Sequence, residues 1–200
     1  MGIKKVRTKI RQAQIAEAAL KAIARNGLKG FTITTIAKKV GVASGNIYRH
    51  FKDKNAVMDS IVSEIERKLK IIVRESCRES DTPVECLERI FFKHIDFLEK
   101  HKGIPRVIFS DEMYSADRKI AEKLKEIVNG YQDGIRKVLI GGIKDNTFDA
   151  GLNVDAAVMT FIGLIQSTAL QWVLLGYSFS PKVRGREIWQ IYLKGILSRR

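Results

Sequence analysis

Apolar residues recur along this chain three or four positions apart, and alternation with period two is scarce. A period near 3.6 marks a helix with one buried face, so the expected class is all-α. Ile15, Ala19, Ala22 and Ile23 form the inward stripe of a helix over about Thr8–Asn26, and Gly27 supplies its stop. Leu28–Phe31 reads as a loop. Thr32 is a good N-cap for a second helix, which carries Ile33, Ile36, Ala37 and Val40 inward until Gly41 ends it. A short third helix spans about Ser44–Phe51, with Ile47 and Phe51 toward the core. A fourth runs from about Lys54 to Glu75.

The rest of the chain repeats the helical period. Thr82-Pro83-Val84-Glu85 is a capping box with proline at the first helical position, so a helix starts there and runs to about His101. A short helix over Pro105–Asp111 precedes a long one from about Ala116 to Ile143. Asp, Asn and Gly make 144–152 a loop. Asn153 caps an apolar helix over Val154–Leu175, which Gly176 stops, and a final helix covers about Val183–Leu197. There is no internal repeat or low-complexity tract.

Charge adds what periodicity cannot. The chain of 200 residues carries a formal net charge of +14. Residues 1–56 hold thirteen Lys or Arg against only Glu17 and Asp53, so most of the excess lies in the first quarter. A generally basic protein would not be so lopsided, and a localised footprint for a polyanion is the better reading. Cys77 and Cys86 fit no metal-binding spacing, so two free thiols are expected, with a redox switch between them the rarer reading. The basic start has no apolar segment behind it, so it is not a secretory signal and a cytoplasmic location is expected. Ala156–Leu175 is uncharged and long enough to span a bilayer. Its polar Thr160, Gln166, Ser167, Thr168 and Gln171 fit a helix buried in a protein interface better, so no membrane partner is expected.

The candidate chemistry sits in Thr32–Phe51, a helix, a tight turn at Gly41 and a second helix. The outer side of that second helix offers Ser44, Gly45, Asn46, Tyr48, Arg49 and His50, a polar and cationic surface suited to a major groove. Gly41-Val42, then Gly45-Asn46-Ile47-Tyr48-Arg49-His50-Phe51, then Lys54, resemble the DNA-binding head of the TetR family over about Lys9–Leu69. The resemblance implies a basic extension over 1–8, a three-helix head over 9–69 with its helix-turn-helix motif at 32–51, and a helical-bundle body over 70–200 that binds an effector and dimerises, about nine helices in all. It implies phosphate contacts from Thr32, Thr34, Tyr48, His50 and Lys54, and base contacts from Ser44, Gly45, Asn46 and Arg49. The family often has Ser where this chain has Ala43, with Ser44 next. Either the recognition helix starts one residue later or its cap is weaker. Lys4, Lys5, Arg7, Lys9 and Arg11 are either a solvated tail or an arm that follows the DNA.

The body carries two further expectations. Ala156, Thr160, Gly163, Ser167, Leu170 and Leu174 share one face, and the small residues among them let two backbones approach across a two-fold axis. Phe91, Phe92, Ile95, Phe109, Met113, Tyr114, Tyr131 and Trp172 are candidates for an effector pocket, or else for plain core. Few charges fall among them, so a small apolar or amphipathic effector is expected. His94 and His101 lie about 10 Å apart along one helix, too far to share a metal. No cofactor and no metal is expected. No nucleophile elbow, phosphate-binding loop or zinc motif marks an enzyme. The reading is a cytoplasmic, ligand-responsive repressor that binds a near-palindromic double-stranded DNA operator as a homodimer.

Overall fold

The computed structural model describes residues 2–78, 81–110 and 118–198, with the backbone alone described for residues 2–7. The described residues hold nine α-helices and no strands: α1 Gly2–Asn26, α2 Ile33–Val40, α3 Ser44–Tyr48, α4 Lys54–Ser76, α5 Pro83–Lys100, α6 Gly103–Ile108, α7 Arg118–Lys144, α8 Val154–Leu174 and α9 Pro181–Ile196. The chain divides into two compact units. The first is Met1–Glu66 with His101–Leu124, and the second is Arg67–Lys100 with Lys125–Arg200.

Local capping starts several of these helices. The Thr35 amide donates to the Thr32 hydroxyl at the head of α2. At α5 the Thr82 amide donates to the Glu85 carboxylate, and the Glu85 amide donates back to the Thr82 hydroxyl. The Ala156 amide donates to the Asn153 side-chain oxygen at α8. α9 starts at Pro181, two residues earlier than expected, because Ser180 caps it and proline fits the first helical position. α6 likewise starts at Gly103 rather than Pro105. α1 reaches back to Gly2 instead of beginning near Thr8, with no proline in residues 3–12 to stop it.

The first unit is organised around α1. Ile15, Ala19 and Ile23 pack with Phe31, Ile36, Ile47 and Phe51 in a core closed by Val57, Ile61 and Val62 of α4. α6 also lies on α1, with Gly103 against the Leu20 backbone, which brings Ile104 and Val107 into this core. α6 and the start of α7 therefore fall in the first unit together with the motif helices. Lys123 of α7 donates to Asp59 at 2.7 Å and to Ser63 at 2.6 Å, both on α4.

The second unit packs α5, α8 and α9 around an aromatic cluster. The Phe91 ring lies 5.6 Å from those of Phe161 and Trp189, and Tyr192 donates to the Ala157 carbonyl. Gly185 lets α9 approach Ile95 and Phe91 of α5. Cys77 and Cys86 are joined in a disulfide, with Cα atoms 4.8 Å apart, which corrects the expectation of free thiols. The turn between α4 and α5 brings them together. Arg89 donates to the Ser76 carbonyl and pairs with Asp81, and Lys93 donates to the Glu75 carbonyl. The Arg89 guanidinium holds the Asp81 carboxyl below its ordinary range.

Candidate nucleic-acid interface

The motif at 32–51 is a helix, a left-handed turn and a helix. Gly41 has φ +75°, a conformation that side chains rarely adopt, and the Val42 amide closes the turn on the Ala37 carbonyl. α3 then presents a short face. Gly45, Asn46, Tyr48 and Arg49 are exposed, Ser44 is half-buried, and Ile47 is buried as the anchor. Tyr48 is 55% exposed, so its ring is free for a partner outside the fold. α3 starts at Ser44 with Ala43 as its N-cap and no side-chain cap, so of the two alternatives the weaker cap is the one found. A Cβ on Gly45 would meet nothing within 4 Å, which leaves room for a close backbone approach.

The phosphate-type residues are placed in more detail. The Thr32 hydroxyl donates to the Thr35 hydroxyl as well as accepting its amide, so it is already occupied in capping. The exposed Thr34 hydroxyl and the unbonded first-turn amides of α2 remain for an anion. Lys54, at the first turn of α4, lies 5.6 Å over the Phe31 ring, which restricts where its ammonium can point. Asp53 caps α4 through the Ala56 amide at 2.7 Å. His50 is half-buried with Nδ1 turned inward and unpartnered, leaving Nε2 for an outside contact. Two supporting residues escaped sequence reasoning. Gln12 donates to the His50 carbonyl at 3.1 Å and so ties the end of α3 to α1. Phe31 orients Lys54. Neither carries a local signal, because each acts on a residue distant in sequence.

The sequence model of "Bacterial regulatory proteins, tetR family" matches residues 15–61. That of "YsiA-like protein, C-terminal region" matches residues 55–195, more than two thirds of the chain. The chain belongs to the TetR family. The fatty acid metabolism regulator protein of Bacillus subtilis is 27% identical over 183 residues, covering 92% of this chain and 94% of the relative. The transcriptional repressor KstR2 of Mycobacterium tuberculosis is 27% identical over 190 residues, covering 93% and 92%. Among solved structures, FadR from Bacillus subtilis in complex with stearoyl-CoA superposes with TM-score 0.77 at 27% identity, over 92% of this chain and 98% of that one. The Mycobacterium tuberculosis KstR2 structure has TM-score 0.80 over 94% and 96%, and at 22% identity it speaks for the fold alone. This TetR-family chain is thus a DNA-binding transcriptional regulator and not an enzyme, and a regulator of that kind works on the nucleoid.

The effector candidates fall in both units. Phe91, Ile95, Tyr131 and Trp172 are buried in the second unit, where Phe91 packs into the aromatic cluster beside Phe92, Phe161 and Trp189. Phe109 is 38% exposed and belongs to the first unit. Met113 and Tyr114 lie outside the described residues. Sequence reasoning weighed His94 only as a metal ligand; its Nδ1 shares a 2.9 Å hydrogen bond with the Tyr131 hydroxyl inside the second unit. Burial pushes the imidazole down to about 4 and the phenol up. His101 instead pairs with Glu17 of α1 at 3.2 Å.

α8 is two-faced. Ala157, Val158, Phe161, Ile165 and Trp172 are buried, whereas Ala156, Thr160, Ser167, Leu170 and Leu174 are exposed and Gly163 is half-buried. Met159 and, on α9, Ile191 are each 74% exposed, and both were missed as interface candidates. α8 is the one helix among the described residues long and apolar enough to cross a membrane, and the packing of its inner face in the second unit accounts for that composition.

Proposed function

We propose that this regulator is a homodimeric repressor that holds a near-palindromic operator and releases it when a long acyl chain, carried as acyl-coenzyme A, occupies the second unit. The observation that carries this is the likeness, over nine tenths of the chain, to a regulator whose structure holds stearoyl-CoA. The apolar, aromatic interior of the second unit supports an effector with a hydrocarbon body. Asn46 and Arg49 read base edges, adenine and guanine being their natural partners, with Ser44 and Gly45 close to the groove floor. Thr32, Thr34, Tyr48, His50 and Lys54 hold the backbone.

The exposed apolar face of α8 and α9 supports a two-fold interface. Leu170, Leu174, Met159 and Ile191 leave too much aliphatic surface in water for a monomer, and Gly163 and Ala156 permit close approach. A two-fold dimer reads half-sites about 34–36 Å apart. α4 begins at Lys54 in the head and ends at Ser76 in the second unit, so a ligand that tilts it changes that spacing without touching DNA.

The test is a titration of operator DNA with and without stearoyl-CoA, using free coenzyme A as control. A coupling of about 1–3 kcal/mol weakens operator binding roughly 5–150-fold, and DNA weakens acyl-CoA binding by the same factor. Tight acyl-CoA binding with the same affinity in both states removes induction from the reading.

A further inference from the structure

We propose that a groove in the first unit, between the middle of α1 and the end of α2, docks an acidic amphipathic helix of a partner protein. The groove has a volume of about 610 Å³. Ile10, Ala13, Ala18 and Val40 make its apolar floor, and Arg11, Lys21 and Lys39 stand along its rim. Ile10 is the decisive residue. It is 55% exposed on a helix whose next stripe residue, Ile15, is fully buried. Its side chain is mostly outside the head's core, yet it lines a groove walled on the other side by Lys39 and Val40 of α2. The sequence continues the same three-and-four spacing toward the N-terminus through Val6 and Ile3.

Charge selects the occupant. The single carboxylate lining the groove, Glu17, is already matched by Lys21 at 3.6 Å. Arg11 and exposed Lys39 therefore leave the rim positive. A second copy of this chain would bring the same positive rim and be repelled. DNA would satisfy the cations but has no aliphatic side chain to cover Ile10 and Val40. An anionic membrane is too flat to fill a concave groove. A helix with apolar residues at i, i+3, i+4 and i+7 and carboxylates between them meets both requirements at once. Bound there, it would lie against the same helix that holds α3 through Gln12.

The experiment uses the full chain and fluorescence anisotropy. The probe is a labelled 15-residue peptide with Leu at i, i+3, i+4, i+7 and i+11 and Glu at most other positions, compared with a scrambled peptide of the same composition. The expected result is saturable binding at least tenfold tighter than the scrambled peptide. Ile10→Asp should lose at least tenfold, with unchanged circular dichroism, thermal midpoint and operator affinity. Lys39→Glu should weaken the acidic peptide and gain affinity for the version with Lys in place of Glu. The proposal is overturned by absent binding, by equal binding of the scrambled peptide, or by variants that bind like the parent. A loss of operator affinity in Ile10→Asp with peptide binding intact would assign the face to DNA. A loss of flotation with phosphatidylglycerol vesicles, again with peptide binding intact, would assign it to a membrane.

Discussion

Replacing Gly103 by Ala tests whether α6 belongs to the DNA-binding head. Gly103 is buried at the start of α6, and an added Cβ would land on the Leu20 carbonyl group, 3.1 Å from the Leu20 Cα. Carbon atoms in comfortable contact stand about 3.5–4.0 Å apart. The obstacle is backbone in the middle of α1, so it cannot swing aside as a side-chain tip could. α6 must retreat by roughly 1 Å, which opens the packing of Ile104 and Val107, and overpacking of that kind costs about 1–3 kcal/mol. For a chain of this size each kcal/mol lowers the melting temperature by about 2–4 °C, so a fall of roughly 2–12 °C is expected. Gly141→Ala is the matched control. Gly141 lies in α7, where a Cβ would meet nothing within 4 Å, and relief of glycine's backbone entropy in a helix is worth about 0.5–1 kcal/mol. Thermal unfolding followed by circular dichroism reads both variants. Hydrogen exchange at the α1 amides near Leu20 shows where the damage falls. A Gly103→Ala protein as stable as the Gly141→Ala protein, with α1 protection unchanged, would refute the packing of α6 on α1.

Three further outcomes are expected. Arg49→Ala should lose about 1–3 kcal/mol on the cognate operator and relax base preference at one position, while Lys54→Ala should weaken all sequences alike and reduce the salt slope by about one unit; equal behaviour across operator variants contradicts the assignment. Gly163→Phe projects a ring from the exposed side of α8, where nothing lies within 4 Å of its Cβ position, and should yield monomers in sedimentation experiments, an unchanged dimer mass placing the interface elsewhere. The His94 imidazole is held near 4 in the folded state and titrates near 6.5 unfolded, so the unfolded chain takes up a proton first as pH falls. Stability present above pH 6.5 should therefore decline by about 3 kcal/mol on going to pH 4, and His94→Gln, which keeps a hydrogen-bonding group without titrating, should flatten that segment in denaturant midpoints measured across the range.

What was legible in the sequence was local. The cap at Thr32, the capping box at Thr82–Glu85, the Asn153 cap and the left-handed Gly41 each depend on residues within four positions, so a reader of the chain can see both partners at once. Ser180-Pro181 carried the same kind of signal and was passed over. What was not legible joins distant positions. Gly103 meets Leu20, His94 meets Tyr131, and Gln12 reaches the His50 carbonyl, and in none of these pairs does either residue announce the other. The cysteines stand nine apart, but only the turn that Arg89 and Asp81 hold brings them together.

This difference explains why the two halves of the function were so unequally readable. α3 has five residues, too short to be stable as a helix alone, so its pose depends on the buried Ile47, the turn at Gly41 and the Gln12 bond to its end. Each of those constraints tolerates few residue types, and a DNA-reading face must be exposed and polar as well. The motif therefore leaves a dense mark in about twenty residues. An effector site in an apolar interior imposes no such demand. Phe91, Phe161 and Trp189 pack a core as readily as they line a pocket, and the same aromatic composition serves either use. Among the described residues of the second unit, buried polar groups depart from what packing alone requires, and the His94–Tyr131 pair is one such departure, beside Ser76 and Thr168. An imidazole held neutral at a cost in acid stability has no packing reason to be there, since Phe or Leu would fill the space without the penalty. Screening acyl-CoA release in His94→Gln and Tyr131→Phe is accordingly the most direct way to learn whether the effector's polar end is recognised at this point in the second unit.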